Sequence, residues 1–187
     1  MRLDRSHPQI RTARLTLRPP RMEDAPDIAL HLNNFEVSGN LARVPYPYHL
    51  SDAEAWIRTL PAETQPGRAS FAIELDGTGY VGHLGFHPHG QETGIGYWLG
   101  QPFWGRGIMT EAVAAAVDWL FATTDFATIH SGVFHFNQAS LAVQNKLGFT
   151  ETGRSSLLCL ARGFEVEHID TQLTRERFQH MRQARRT

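Results

Sequence analysis

Cysteine is nearly absent: Cys159 is the only one in 187 residues. A lone thiol excludes a disulfide framework and any cysteine-based zinc finger. Lysine is just as scarce, since 17 of the 18 basic residues are Arg and only Lys146 is Lys; that skew carries no functional reading. Neither sign of charge is in excess, with 18 basic against 19 acidic residues and a formal net charge of −1. A dedicated nucleic-acid binder normally carries a basic domain, so that class is disfavoured. No run approaches the ~18 apolar residues of a membrane span. The opening MRLDRSHPQI lacks the apolar core of a signal peptide, so a soluble, cytoplasmic chain is expected. The GxxxxGK[ST] phosphate loop is missing. The letters GxGxxG occur once, from Gly77 to Gly82, but they run through a hairpin turn into a strand, whereas a dinucleotide fingerprint opens a helix.

What is present is a globular composition, 41% hydrophobic and 20% charged, in a chain long enough to bury about 70% of its unfolded surface. No repeat, low-complexity tract or long linker divides it, so residues 1–187 read as one domain with a core of about 12–178. Arg14 to Arg18 alternate polar and apolar as a half-buried strand, ended by Pro19-Pro20. A helix is expected over Glu23–Asn33, and Ser51-Asp52-Ala53-Glu54 reads as a capping box opening a second one. Phe71–Leu75 and Tyr80–Phe86 flank Asp76-Gly77-Thr78-Gly79 as a hairpin. Further strands are expected at Gly94–Leu99, Thr128–Phe136, from Phe149, at Ser156–Leu160 and at Glu167–Leu173. Helices fall at Ile108–Ala122, where apolar residues recur at helical spacing, at Gln138–Leu147, and at the end of the chain. The order is that of an α+β (mixed α/β) domain around one sheet of six or seven strands. Arg175 to Thr187 hold five Arg and one Glu; a solvated final helix is favoured over an anion-binding tail.

The stretch that carries chemistry is Ile95 to Ala112, IGYWLGQPFWGRGIMTEA. A strand enters a Pro- and Gly-containing turn and a helix begins at once. The first N–H groups of that helix have no intrahelical acceptor and point into the turn, where the helix dipole is positive. Gly105 and Gly107 allow close approach of a phosphate to those amides. On the glycines alone, an ordinary strand-to-helix turn explains the pattern equally well.

The segment resembles the acyl-CoA loop of the GNAT acetyltransferases, specifically the RimJ/RimL-like branch. The matching residues are Tyr97-Trp98-Leu99 followed by Phe103-Trp104-Gly105-Arg106-Gly107-Ile108-Met109-Thr110-Glu111-Ala112. Thr12 to Pro19 resembles the family's opening strand and Glu23-Asp24-Ala25 its first helix. Phe136-Asn137-Gln138-Ala139-Ser140 with Asn145-Lys146-Leu147-Gly148-Phe149, then Gly163-Phe164 and Glu167-His168, complete the likeness in order. The resemblance implies the GNAT fold, a mostly antiparallel sheet with helices on both faces. It also implies acetyl-CoA as co-substrate, no metal, and transfer of the acetyl group to a primary amine without a covalent enzyme intermediate. The CoA pyrophosphate would lie on the amides of Trp104, Gly105, Arg106, Gly107, Ile108, Met109 and Thr110. The pantetheine arm would pair with the strand near Trp98 and Leu99, Asn137 would bond it or its neighbouring backbone, and Ser140 would face the sulfur.

Departures from the branch matter. Met109 stands where a small residue is usual, so a bulkier helix start is expected. Gly94 replaces a common glutamate, and Gln144 stands where many superfamily members carry a tyrosine acid, which leaves Ser140 as the candidate to protonate the departing thiolate. Candidate general bases are Glu92, His83, His135 and Glu167. His83, His87 and His89 share one strand face. A histidine-lined acceptor cleft or plain surface is favoured there over a metal site, because Pro88 should break the strand and no fourth ligand is apparent. Glu111 most simply serves the helix dipole, Trp119, Phe121 and Phe126 read as core, and Cys159 as a buried small hydrophobe. Tyr46 and Tyr48 either line the amine pocket or form a surface for a homodimer. The acceptor is a protein N-terminus, polyamine, amino acid or other small amine. The alternative from another class is a non-catalytic acyl-CoA-binding sensor of the same fold.

Overall fold

The computed structural model describes residues 9–61, 63, 65 and 67–184; Arg185 and Arg186 of the basic tail lie outside the described residues. Apolar and polar side chains alternate along the strands, and the strands join into one sheet. They are β1 (Ile10–Arg11), β2 (Leu15–Arg18), β3 (Ser70–Leu75), β4 (Gly79–His89), β5 (Glu92–Leu99), β6 (Thr128–Phe134), β7 (Thr150–Cys159) and β8 (Phe164–Thr174). Their spatial order is β1-β2-β3-β4-β5-β6-β8-β7, antiparallel throughout except for the β5–β6 pair. The sheet is therefore mixed and mostly antiparallel, but the described residues make eight strands rather than six or seven. The added strand is the two-residue β1, too short to show periodicity; Thr150–Cys159, by contrast, is one continuous strand where the sequence suggested two.

Helices α1 (Ala25–Leu32), α2 (Phe35–Ser38) and α3 (Leu50–Arg58) precede the long hairpin; α4 (Ile108–Thr123), α5 (Gln138–Leu147) and α6 (Arg175–Ala184) follow β5, β6 and β8. The expected first helix is split, with a 3-10 turn at Met22–Asp24 feeding α1. The capping box sits two residues earlier than expected: the Asp52 carboxylate accepts from the His49 N–H at 2.8 Å. Pro88 does not break β4. Its missing N–H would point to the β3 side, and β3 has already ended at the Ser70–Gly85 pair, so no ladder bond is lost.

Helices cover both faces. On one, Val113, Val117 and Leu120 of α4 and Leu147 of α5 pack on Phe71, Ile73 and Leu84 of the sheet. On the other, Ile28, Leu32 and Ala53 of α1 and α3 pack on Ala72 and Tyr80. Full burial of each such Leu, Ile, Val or Phe contributes about 1.5–3 kcal/mol. Cys159 is fully buried beside Phe134 and Val166, as a small hydrophobe would be. A charged cluster fixes the start of α1: Arg18 bonds Asp24 through both terminal nitrogens, at 2.8 and 2.6 Å, and Glu74 through Nε at 2.7 Å. None of the helices among the described residues is long and apolar enough to cross a membrane.

One irregularity positions the site. β5 and β6 pair only at Thr93–Ile129 and Gly94–His130, and beyond these residues they part. A buried relay crosses the fork where it opens. Thr171 Oγ1 donates to Gln144 Oε1 (2.7 Å), Gln144 Nε2 to Ser131 Oγ (3.0 Å), and Ser131 Oγ to the Ile95 carbonyl (2.9 Å). Gln144, in place of a tyrosine, is thus a fully buried bridge between α5, β6 and β8.

Candidate active site

The fork opens into a cleft of about 1570 Å³ that reaches the N-terminus of α4. There Gly105 and Gly107 adopt φ of 72° and 73°, the left-handed region that favours glycine. A Cβ at Gly105 would meet nothing within 4 Å, and one at Gly107 would have only Arg14 Nη2, at 3.7 Å. The loop backbone therefore faces open space, with the first-turn amides of Ile108, Met109 and Thr110 behind it. An open turn at a helix start can receive a phosphate, and the residues fit a pyrophosphate group. Met109 is buried in the larger core, so it does not obstruct the turn as its size suggested.

Glu111 stands in the first turn of α4, as expected, and also reaches across to the first strands. It accepts from Thr12 Oγ1 (2.6 Å), the Arg14 N–H (3.2 Å) and Arg14 Nε (2.8 Å), while Arg14 Nη1 donates to the Arg106 carbonyl (3.1 Å). The carboxylate clamps the β1–β2 turn to α4, and Arg14 ties the glycine loop to it. Burial raises the Glu111 carboxyl, but the bonds from Thr12 and Arg14 outweigh it and hold it below its ordinary value.

On the strand side, register decides which amides are free. Gly100 N–H donates to the Val81 carbonyl at 2.9 Å, and β4 and β5 continue in register from Gly82–Leu99 to His89–Glu92. Antiparallel bonding alternates, so the even-numbered residues of β5, Trp98 included, are committed to β4 and the odd-numbered ones turn toward the fork. Ile95 O is taken by Ser131, and Leu99 O accepts from the Trp104 indole at 2.7 Å. Of the stretch near Trp98 and Leu99, the Trp98 main chain is thus turned to β4, and the groups open to the fork are the Tyr97 main chain and the Leu99 N–H. The Trp98 side chain lies instead on the α1–α3 face against Tyr80 and His31, with ring centroids 6.0 and 6.5 Å away.

Ser140 and Asn137 both line the cleft. Asn137 caps α5, its Oδ1 accepting from the Ser140 N–H at 3.1 Å. Ser140 Oγ is 2.9 Å from the Tyr97 hydroxyl. Sequence reasoning gave Tyr97 no role; its place on the fork-facing set of β5 is the signal that could have found it. Burial pushes the Tyr97 phenol up, and bonds with Ser140 and Gln144 moderate this, so it stays protonated at neutral pH.

The proposed bases do not converge. Glu92 is occupied by the N–H groups of Ala127 and Thr128, both at 3.1 Å. Glu167 pairs with Arg154 and shares its sheet face with Ile169, away from the cleft. His135 is exposed, its Nδ1 3.3 Å from the Glu167 carbonyl. Only His83 lines the cleft. The residue is half-buried, its Nε2 touches neither solvent nor a hydrogen-bond partner, and burial pushes it down to about 3. An imidazole so depressed is too weak to hold a proton at neutral pH.

The same face carries four more cleft histidines, His87, His89, His130 and His168. The His87 ring lies over Gly94, where a Cβ would stand 2.4 Å from its Nε2, and His89 stacks on His130 at 4.2 Å. Among the described residues no group of three or more His, Cys, Asp or Glu is arranged to hold a metal ion. Of the two loop tyrosines, Tyr48 is buried and lines the cleft, whereas Tyr46 is exposed against Phe35.

A glycine cradle at a helix start, beside two parted strands, agrees with the comparison to known proteins. Residues 14–150 match the acetyltransferase (GNAT) domain family. The chain belongs to the GNAT family. This GNAT protein is similar to N-acetyltransferase p20 of Bacillus licheniformis, with 32% identity over 148 residues, 76% of this chain and 82% of that one. It is 31% identical to the [ribosomal protein uS5]-alanine N-acetyltransferase of Escherichia coli over 80 residues, 43% and 41% of the two chains. Among solved structures it superposes on Mycobacterium smegmatis RimJ in complex with CoA-disulfide, with 26% identity, a TM-score of 0.76, and 96% and 93% coverage. The GNAT protein is an acyltransferase, and acetyl-CoA is its acyl donor.

Proposed function

We propose that this GNAT enzyme transfers the acetyl group of acetyl-CoA to a primary amine by direct attack, within the RimJ/RimL-like branch. The observation that carries this reading is the fork. Its floor offers the Tyr97 and Leu99 amides, a hydroxyl pair stands at its side, and the glycine cradle closes its end. The amides from Gly105 to Thr110, with Gly105 and Gly107 at the points of closest approach, hold the pyrophosphate; the Trp104 N–H is committed to the Gln101 carbonyl at 3.2 Å. The Tyr97 and Leu99 N–H groups take the pantetheine arm as an added strand and donate to the carbonyl where charge develops. Asn137 keeps Ser140 in place and offers its carboxamide N–H groups to the arm. When bound, acetyl-CoA supplies the thioester, a reactive acyl group with a thiolate leaving group.

In the free protein Ser140 Oγ donates to the Tyr97 hydroxyl at 2.9 Å and the Tyr97 hydroxyl donates to the Ser140 carbonyl at 3.4 Å; when Ser140 turns its proton to the sulfur, the Tyr97 hydroxyl is free to donate to Ser140 Oγ in its place. Most of the acceleration comes from holding amine and thioester together. Similarity to RimJ and to the uS5-alanine acetyltransferase supports an α-amino group as acceptor. Such a group, with a pKa near 8, needs less help to lose its proton than a lysine-type amine near 10.4.

The test is thiol release from acetyl-CoA across N-terminal peptides, polyamines, amino acids and aminoglycosides. Turnover with alanine-start peptides is expected. The sensor alternative predicts CoA binding with no thiol release from any of them. Ser140→Ala should lower kcat roughly 100-fold with acetyl-CoA affinity unchanged, and Tyr97→Phe should lower it less. Wild-type turnover in Ser140→Ala removes the hydroxyl pair from the mechanism.

A further inference from the structure

His168 and Asp170 alternate on β8, so both side chains leave the same face of the sheet, the one that carries α1 and α3. His168 Nδ1 stands 2.8 Å from Asp170 Oδ1, and Ser155 Oγ on the neighbouring β7 donates to that same oxygen at 2.9 Å. An ionised carboxylate only accepts, so Nδ1 carries the hydrogen and Nε2 keeps its lone pair. The ring lies across Gly132 of β6: a Cβ there would stand 2.0 Å from His168 Cε1 and 2.7 Å from Nε2. Phe134 meets it edge-on at 5.9 Å. The imidazole is thus held by a bond on one edge, an aromatic ring on another, and a missing side chain beneath it. Its side chain is 16% exposed.

Its place is the mouth of the fork. β5 and β6 are last paired at Gly94–His130, and Gly132 lies two residues further on. Gly132, Ser155, His168 and Asp170 all line the cleft. Gln144 of α5 bonds Ser131 and Thr171, residues of the opposite parity, so α5 and its Ser140 lie on the other face. The fork therefore has a hydroxyl on one side and an oriented imidazole on the other. Asp170 is the charged group bonded to His168; His130, two residues before Gly132 on β6, and His83, His87 and His89 of β4 share its face, Arg43 and Arg162 also line the cleft, and Glu167 and Arg154 pair on the far face. Among the other cleft histidines, His83 is too weak a base, and the His87 ring has no hydrogen bond to set its tautomer among the described residues.

We propose that His168, oriented by Asp170, is the general base that takes the acceptor amine's proton. This rests on the amine-transfer reading above. As the nitrogen lone pair forms the C–N bond, the C–S bond breaks and its electron pair leaves on sulfur. The proton lost by nitrogen passes to His168 Nε2, and the sulfur takes one from Ser140. Ser140 regains a proton from solvent by way of the Tyr97 hydroxyl and His168 returns its proton to solvent, so the sum is amine plus thioester going to amide plus thiol. Entry of the amine from the His168 face places base and acid on opposite sides of the reacting carbon.

Two readouts test it. In proton–nitrogen correlation spectra of the free protein above neutral pH, the imidazole assigned by its loss in His168→Gln should be the Nδ1–H tautomer. Asp170→Asn, of the same shape, should shift it toward Nε2–H. With the best amine of the panel, His168→Gln and Asp170→Asn should each lower kcat/KM about 100-fold. His168→Gln should also make the acidic limb of its pH profile shallower, leaving only the part set by the amine's own protonation, and both variants should leave acetyl-CoA affinity unchanged. An Nε2–H tautomer in the wild type, or a wild-type pH profile in His168→Gln, overturns the base while acetyl transfer stands. If the wild type releases no thiol with any amine of the panel, the transfer reading and the base fall together.

Discussion

Gly105 and Gly107 show how much of the site depends on single residues that lack a side chain. Each holds a positive φ, and the space a Cβ would enter is open. Gly105→Glu places a carboxylate against the phosphates; two like charges 4–5 Å apart at an effective dielectric near 20 repel by roughly 3–4 kcal/mol, so acetyl-CoA affinity should fall at least about 100-fold. Gly105→Ala, which adds only the backbone strain of about 1–2 kcal/mol, should weaken it far less. Calorimetric titration separates the two, and equal losses would show that conformation rather than charge governs the loop. Both glycines were legible in the sequence because their requirement is local. His168 and Asp170 were not weighed as a pair, although an i, i+2 spacing on a strand puts both on one face. What gives the pair its meaning is Gly132, 36 residues earlier, and no local pattern joins them.

At the scale of elements, two ionic clamps hold the pieces that frame the cleft. The Glu111 carboxyl titrates below the ordinary glutamate value of 4.5. A group depressed by folding contributes stability above its unfolded pKa and loses it as pH falls through the folded one. The clamp between the β1–β2 turn and α4 is therefore intact at neutral pH and released in acid. Glu111→Gln should cost about 1 kcal/mol at pH 7 and flatten the fall in melting temperature between about pH 5 and 3; an unchanged acid slope would assign that fall to other carboxylates. The Arg18–Asp24 pair is more deeply buried, with both side chains 6% exposed. Asp24→Ala strands a buried guanidinium and should cost about 3–5 kcal/mol, read by denaturant unfolding. A loss within 1 kcal/mol would mean that Glu74 alone suffices. The helices themselves were read closely, since α4 and α5 announce their faces and ends. The capping box was misplaced because Asp52 reaches back to His49, a choice the letters Ser51 to Glu54 do not reveal.

Across the whole molecule, the proposed active site is a defect in the sheet that the rest of the fold maintains. The relay from Thr171 through Gln144 and Ser131 to Ile95 sits where β5 and β6 separate, and it satisfies groups that would otherwise be buried without partners. A ligand seated in the fork joins elements from both halves of the chain and should stabilise all of them. At a concentration of 100 Kd, acetyl-CoA should add about 2.7 kcal/mol. For a domain of this size that is roughly 5–10 °C in melting temperature. Absence of any shift under saturating acetyl-CoA would count against the fork as its seat.

The sequence by itself determined the fold class, most of the order of elements and the glycine turn before α4, because each rests on periodicity, capping or glycine geometry within a few residues; the resemblance proposed acyl-CoA for that turn. It placed Ser140 and Asn137 at the start of the right helix, and the resemblance gave both a place in the cleft. Only the tertiary structure decided which main-chain groups are free, because that depends on the β4–β5 register and on the Trp104 indole closing over Leu99. Only it removed Glu92, Glu167 and His135 from the cleft, since their partners, the Ala127 and Thr128 amides, Arg154 and the Glu167 carbonyl, come from other strands or loops. Reactivity at this site comes from side chains distant in sequence that share one face of a parted sheet, and a linear pattern does not encode that proximity.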